Sequence, residues 1–279
     1  MSTAPGHGSF AVDAVAFWAP TLPGWPHARA AFRGEQAPLA APARRPAPEL
    51  LAAAERRRAP DTVALALEVA AAAVRASGRD PAALPSVFTS THGDLAISDY
   101  MCATLASAPT MISPTRFHNS VHNAAAGYWT MATGCHETST ALTAFDASFA
   151  AGLLEAACQC SADDRAVLLV AFDVEASGAL ASVVDSAGLL ACALVLAPRA
   201  GAGSIAVLDW QLAHATVANP APRSPAALAL AGNAMAGALP VLETIANLDR
   251  DDATLALPLG PSLALRLVAH ELVAAEARP

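Results

Sequence analysis

Asp146 is the first candidate for chemistry, because it lies between a segment typical of a strand and a segment typical of a helix. Ser139 to Phe145 is short, apolar and Thr-rich, which predicts a buried strand. Ala147 to Cys160 repeats apolar side chains at helical spacing. Such a turn often carries a nucleophile, because the positive end of the helix stabilises negative charge. Here the residue is a carboxylate. We expect the helix end to favour its ionised form, and the alternative is that Asp146 serves only as the helix N-cap.

His118 and His122 are the second candidate, since imidazoles four residues apart share one face of a helix. A metal ion could bind there, but no third ligand follows at a recognisable spacing, so we predict no metal and no cofactor. A serine hydrolase using Ser120 or Ser148, with His118 or His122 and Asp146, is disfavoured, because the sequence has no G-x-S-x-G elbow.

The composition narrows the class of protein. Charged residues make up 14% and hydrophobic residues 54% of the 279 residues, which excludes a disordered chain or a coiled coil. The net charge of −8 argues against nucleic-acid binding. No run has the length of a membrane span, and the first residues lack the pattern of a signal peptide, so we predict a cytoplasmic protein. An early Arg-rich stretch, from Arg29 to Arg58, could bind an acidic partner.

The rest of the chain alternates between predicted strands and predicted helices. Asp61 to Ser77 is the clearest helix, with Asp61 as its expected cap and Gly78 just after its end. Further strands are predicted at Phe10–Phe17, Ser86–Thr91, Ala166–Phe172, Gly188–Leu196, Ser204–Ala213, Ala253–Leu259 and Ser262–Ala269. Further helices are predicted at Tyr100–Ala106, from Ser120 to Gly134, and within Ala226–Leu248, where Pro240 opens a second helix. Loops are predicted at Pro20–Pro48, Pro109–Pro114 and Glu175–Ala187. This alternation predicts an α/β protein with a largely buried sheet.

Several segments resemble β-ketoacyl synthases. The turn in those enzymes reads T-A-C-S-S-S, and its Cys, which receives the acyl chain, falls on Asp146 of TAFDASFAAGLLEA. GNAMAGAL, starting at Gly232, resembles their G-H-x-x-G-A-A-G segment, and the His falls on Asn233. LPLGPSLALRLV, starting at Leu257, resembles their closing loop and strand. The other histidine motif, E-A-H-G-T-G-T, has no counterpart here.

FHNSVHNAAAGYW together with FDASFAAGLLEA is similar to the ketosynthase-like proteins of aryl polyene pigment clusters, which are relatives of chain length factors. The resemblance implies a thiolase-like layered α/β fold with a near-complete first half and a shortened, degenerate second half. We therefore expect a ketosynthase-like core at residues 1–215 and a truncated C-terminal half at residues 216–279, packed on the same core.

The resemblance also implies a non-catalytic subunit that pairs with an active β-ketoacyl synthase and shapes the acyl tunnel. In that family two chains join through antiparallel strands beside the turn, which would place Ser139 to Phe145 at the interface. An acyl carrier protein with an acyl or malonyl thioester is the second implied partner. The expected tunnel and interface residues are Phe145, Phe149, Thr143, His118, His122 and Trp129.

Two alternatives remain open. One is a stand-alone decarboxylase or hydrolase of acyl thioesters that uses Asp146 with His118 or His122. The charge of Asp146 would repel a malonyl carboxylate at ~4 Å by roughly 1 to 4 kcal/mol, which disfavours decarboxylation. The other is a homodimer that binds acyl carrier protein through the Arg-rich stretch.

Overall fold

The computed structural model describes residues 6–250 and 253–272, and within these ranges nine strands form one mixed sheet. The strands are β1 His7–Ala19, β2 Leu22–Pro23, β3 Ser86–Thr89, β4 Ser139–Leu142, β5 Val167–Asp173, β6 Leu190–Ala197, β7 Ala206–Ala213, β8 Ala253–Gly260 and β9 Leu263–His270. The α-helices are α1 Trp25–Phe32, α2 Ala53–Arg58, α3 Asp61–Ser77, α4 Leu95–Ser107, α5 Pro114–Asn119, α6 Ala124–Thr133, α7 Ser148–Asp163, α8 Pro225–Leu228 and α9 Leu239–Ala246.

The sheet runs β4-β3-β5-β6-β1-β7-β9-β8, and β2 pairs with β1 as a short addition. β3 is parallel to both β4 and β5, and the other pairs are antiparallel. β1 pairs with β6 on one side and with β7 on the other, so it joins the two parts of the sheet. The predicted α/β alternation is confirmed.

Helices cover both faces of the sheet. α3 packs against β1, β5 and β6 on one face, with α6 beside it. On the other face α7 packs against β1, β3 and β5, and it also contacts β8 from the end of the chain. α7 is therefore enclosed between two parts of the same sheet, which fixes the position of its N-terminus.

Three predictions of local structure were wrong. Pro20–Pro48 contains α1, because Pro26 stands in the first turn of that helix, where its missing N–H costs nothing. Asp61 does not cap α3, since Pro60 occupies the cap position and the Asp61 carboxylate pairs with Arg45 at 2.9 Å. β4 is a partly exposed strand at the edge of the sheet, not a buried one.

The chain from residue 216 onward adds β8 and β9 to the sheet through the pairing of β9 with β7. Buried side chains from α7 and from β9 belong to one apolar cluster. A boundary between residues 215 and 216 stays a prediction.

Candidate functional site

The turn between β4 and α7 is a short 3-10 helix, Phe145–Ala147. Phe145 has a φ of 50°, a left-handed conformation that is uncommon for a bulky residue. Its side chain is 82% exposed. This strained turn places Asp146 directly before the N-terminus of α7. The Asp146 side chain is exposed to solvent.

Asp146 is not the N-cap of α7, so the prediction that it serves as the helix N-cap was wrong. The cap position is Ala147, and no side chain caps the helix there. The turn is instead held by Ser148, whose hydroxyl donates to the Phe145 carbonyl at 2.6 Å and accepts from the Ala144 N–H at 3.0 Å. The Asp146 carboxylate is therefore free of a structural task at the helix end.

A second set of contacts, which the sequence analysis did not find, holds the turn against the sheet. The Thr89 hydroxyl donates to the Ser148 carbonyl at 2.9 Å. A Cβ on Gly152 would lie 2.7 Å from the Thr89 Cγ2, so only glycine allows α7 to approach β3 this closely. A glycine inside a predicted helix was the available signal for this contact.

Asp173, at the end of β5, is a buried carboxylate that organises the loop after β3. It accepts hydrogen bonds from the Ser90 hydroxyl, the Thr91 N–H and the His92 N–H, at 2.8 to 3.2 Å. Burial raises the pKa of Asp173, and these hydrogen bonds to the carboxylate act in the opposite direction. A polar residue after an apolar strand was the available sequence signal.

Asn233 and Asp146 line the same cleft, of about 510 Å³. The Asn233 amide is 5% exposed and donates to the carbonyls of Ala187 and Gly188, both at 3.1 Å. Its oxygen accepts from the Met235 N–H at 2.9 Å. Asn233 therefore fixes local backbone, and its amide has no proton to exchange at neutral pH.

The two candidate histidines do not line this cleft. His118 is exposed, and its ring lies 6.3 Å from that of Tyr128. The His122 Nε2 lies 3.0 Å from the Ser90 carbonyl, and His122 lines a separate cavity between α6 and β4. The residues lining the Asp146 cleft in the described chain include no histidine and no cysteine.

Three of the five cysteines are poor substitutes for the missing thiol. Burial raises the pKa of Cys160 to about 11 and that of Cys192 to about 12. Burial also raises the pKa of Cys158, with a smaller contribution from Glu155. Such thiols stay protonated at neutral pH, whereas the nucleophile in acyl transfer is the thiolate.

The expected tunnel residues occupy different environments. Trp129 is 1% exposed and Phe149 is 3% exposed, so both fill the core of this chain. Thr143 is exposed, and its hydroxyl donates to the Thr91 carbonyl at 2.9 Å. Of this group, Phe145 presents the largest apolar side chain to solvent.

Exposed apolar side chains accompany the β4 edge. β4 is the last strand on its side of the sheet, within the ranges that the structure describes. On α5, α6 and the segment between them, three apolar side chains are at least half exposed: Phe117, Val121 and Met131. We call these three residues, Phe145 and β4 the edge surface. Exposed apolar side chains and unpaired strand edges are both typical of protein interaction sites.

The described residues hold neither a metal-binding cluster nor a membrane span. No group of three or more His, Cys, Asp or Glu side chains could hold a metal ion within residues 6–250 and 253–272. None of the helices in that part of the chain has the length and apolar character needed to span a bilayer.

The fold and the sequence together define the class of protein. The family model of the β-ketoacyl synthase N-terminal domain matches residues 29–254, so this chain belongs to the β-ketoacyl synthase family. The resemblance that the sequence motifs indicated is thereby confirmed. No curated protein matches the sequence at a significant level.

Solved structures identify the fold more closely as thiolase-like. A chain of the ketosynthase ApeO in complex with its chain length factor ApeC, from Xenorhabdus doucetiae, superposes with a TM-score of 0.71. The identity is 22%, over 93% of this chain and 99% of that chain. The ishigamide ketosynthase/chain length factor gives a TM-score of 0.71 at 14% identity, over 95% and 100%. The AntDE:AntF complex of ketosynthase and acyl-carrier protein gives 0.74 at 13% identity, over 96% and 100%. The predicted fold class is confirmed.

Proposed function

We propose that this chain is a ketosynthase-like subunit of the chain-length-factor type. It carries no condensing activity of its own and pairs with an active β-ketoacyl synthase in polyketide or aryl polyene synthesis. The observation that carries this proposal is the composition of the cleft at the turn. Asp146 and Asn233 line it, and its lining residues in the described chain include neither a thiol nor an imidazole.

The chemistry of condensation needs groups that this cleft lacks. A thiolate must hold the growing acyl chain, and imidazoles must assist decarboxylation and stabilise the enolate. An acyl group on Asp146 would be an anhydride, which water hydrolyses readily. Asn233 uses its amide for backbone contacts and exchanges no proton.

The edge surface supports pairing with a second thiolase-fold chain. The carbonyls of Thr138 and Leu142 accept from N–H groups of Ser86 and Ser90, so they face β3. Because strand residues alternate, the backbone N–H and C=O groups of Ser139 and Ala141 face outward. An antiparallel strand from a partner can bond to these groups and cover the neighbouring apolar side chains.

Phe145 is the residue of this chain best placed to reach a partner's reaction chamber. It is 82% exposed, next to the edge strand, and held in its position by the Ser148 hydrogen bonds. In the proposed heterodimer it forms part of the wall that ends the acyl tunnel, and the acyl carrier protein delivers its thioester to the partner.

The rival function, a decarboxylase or hydrolase, needs a histidine beside Asp146. His118 and His122 do not line the Asp146 cleft, and His122 is committed to the Ser90 carbonyl. This geometry offers Asp146 no proton-transfer partner from either residue.

Co-expression with an active β-ketoacyl synthase from the same organism tests the proposal. We expect a stable heterodimer in size-exclusion chromatography. After incubation with carrier proteins that hold malonyl and acyl thioesters, intact-mass spectra should show an acyl group on the partner alone. Recovery of only monomers or homodimers, or an acyl adduct that turns over on this chain without a partner, would contradict it.

A further inference from the structure

Residues 98–118 form a helical arm in which every residue is at least partly exposed. The arm consists of most of α4, a 3-10 turn at Pro109–Met111, and α5 up to its last residue but one. In α4 only Leu95 and Ile97, in the first turn, are buried, whereas α3 buries ten residues and α7 buries eight. The main contacts of α4 are with α5 and with 3-10 turns, and not with the sheet.

The composition of the arm does not suit a surface that faces water. From Tyr100 to Thr115 the sequence has no Asp, Glu, Lys, Arg or His, although charged residues make up 14% of the chain. Leu105, Met111 and Phe117 are 54%, 72% and 60% exposed. Depletion of charge together with methionine and aromatic side chains is typical of the core of a protein interface.

Polar contacts close the arm on itself and leave these apolar side chains uncovered. The Tyr100 hydroxyl accepts from the Ser113 N–H at 3.0 Å and donates to the Met111 carbonyl at 3.4 Å. The guanidinium carbon of Arg116 lies 4.0 Å from the centroid of the Tyr100 ring. Tyr100 therefore ties α4 to α5. Helices of this length draw most of their stability from packing of an apolar face, and beyond its first turn α4 has no such packing within the described chain.

The position of the arm indicates what covers it. Phe117 belongs both to the arm and to the edge surface, so the two exposed apolar regions are continuous along the chain. The His118 ring lies 6.3 Å from that of Tyr128 in α6, and α6 in turn packs against β4. A partner that pairs with β4 therefore lies next to the arm as well.

We propose that the arm is a second docking segment for the ketosynthase partner, whose apolar side chains pack against Leu105, Met111 and Phe117. This inference rests on the proposed function, because the chain that adds a strand at β4 is the one that covers the arm. An anionic lipid surface fits less well, since the chain has a net charge of −8 and the arm has no basic residue before Arg116.

Leu105→Gln and Met111→Gln test the arm without touching β4. Each should weaken the heterodimer about tenfold, because each removes an apolar side chain from the core of the interface. Surface plasmon resonance on the immobilised ketosynthase measures this. Glutamine has nearly the helix propensity of leucine and methionine, so the circular dichroism spectra should match that of the unmodified chain.

Ile205→Gln is the matched control, since Ile205 is 41% exposed and lies directly before β7, on the other side of β1 from β4. We expect it to pair with the ketosynthase like the unmodified chain.

Cys102 gives a second measurement that needs no substitution. It is exposed on α4, three residues before Leu105 and on the same face of the helix. We expect iodoacetamide to alkylate Cys102 in the chain alone, and at least tenfold more slowly in the heterodimer, as read by peptide mass spectrometry.

The outcomes separate the arm from the pairing itself. A heterodimer that forms with unchanged affinity in both arm variants, and in which Cys102 reacts as fast as in the chain alone, would overturn the inference and leave the proposed function standing. Arm variants that separate a homodimer of this chain, or that release it from lipid vesicles, without weakening the heterodimer would overturn it in favour of those occupants. Failure of the unmodified chain to pair would overturn both proposals.

Discussion

At the scale of single residues, the turn before α7 keeps a strained backbone around a carboxylate, on which an acyl group would form a readily hydrolysed anhydride. The left-handed Phe145 and the bonds of Ser148 build the turn, and Asp146 makes no cap bond there. Strain of this kind persists where a function requires the geometry. In the proposed heterodimer the requirement is the position of Phe145 at the interface.

Asp146→Ala separates a scaffold from a catalyst. In the co-expressed complex we expect product formation within about threefold of the unmodified protein, because the carboxylate takes no part in proton transfer. A catalytic acid or base would lose ~10²- to 10⁴-fold. The assay is the rate of product release from the reconstituted complex, with replacement of the partner's nucleophile as the inactive control. A loss near a hundredfold would favour the decarboxylase or hydrolase.

The positions of Asp146 and Asn233 were predictable from the sequence, because motifs around a turn and a glycine-rich segment align without knowledge of the fold. The cleft that they share was not predictable, because residues 231–237 are far from the turn in sequence and meet it only in the folded chain. The partners of Asp173 were also not predictable, because its hydrogen bonds join it to Ser90, Thr91 and His92, far away in the chain.

At the scale of elements, the closest approach at the site is between α7 and β3. We expect Gly152→Ala to lower the free energy of unfolding by about 1 to 3 kcal/mol, because the new methyl would overlap the Thr89 side chain. Urea denaturation followed by circular dichroism measures this.

Gly127→Ala in α6 is the matched control, because nothing lies within 4 Å of a Cβ there. The helix propensity of alanine should raise the free energy of unfolding by about 0.5 to 1 kcal/mol. Equal effects of the two substitutions would show that α7 does not lie as close to β3 as described.

An ion pair joins the end of α1 to the end of α9, and it should make stability depend on pH. Arg33 bonds to both oxygens of Asp249, at 2.5 and 2.9 Å. The Arg33 guanidinium lowers the pKa of Asp249 to about 2. A lowered pKa means that the stabilisation is complete above the ordinary aspartate pKa of about 4 and is lost as the pH falls toward 2.

Asp249→Asn should therefore unfold at a lower urea concentration than the unmodified chain at pH 7, and the difference should shrink between pH 4 and pH 2. Asp163→Asn, at an exposed carboxylate for which the described structure gives no ion pair, is the control and should show no such trend. A difference that stays constant down to pH 2 would contradict this role of the ion pair.

Among the elements, the sequence predicted α3 and the strands β5, β6 and β9 well, because apolar runs and the Gly78 stop signal are local. α1 was missed because Pro, Ala and Arg dominate its surroundings, and tertiary contacts with α9 hold it. The edge position of β4 was not readable from composition, since its Thr-rich sequence suits a central strand as well.

At the scale of the whole molecule, β4 and β8 are the two edge strands of the sheet in the described chain, and β4 belongs to the edge surface. Ala141→Pro removes one outward N–H while leaving the bonds of β4 to β3, which use the alternate residues. We expect it to weaken the heterodimer about a hundredfold, measured by surface plasmon resonance.

Ala141→Val keeps the N–H and the strand conformation, so it should pair nearly as well as the unmodified chain. The circular dichroism spectrum of Ala141→Pro should match that of the unmodified monomer. Unchanged affinity in a folded Ala141→Pro variant would show that the partner does not add a strand at β4.

Because β1 is bonded between β6 and β7, it has to wait for two neighbouring strands that are made much later. Residues 20–189 are made before β6 begins, which takes roughly ten to thirty seconds at ordinary elongation rates. During that interval the apolar strand FAVDAVAF lacks both of its long neighbours in the sheet. Truncated versions that end before residue 190 should therefore depend on chaperones and form inclusion bodies when expressed alone.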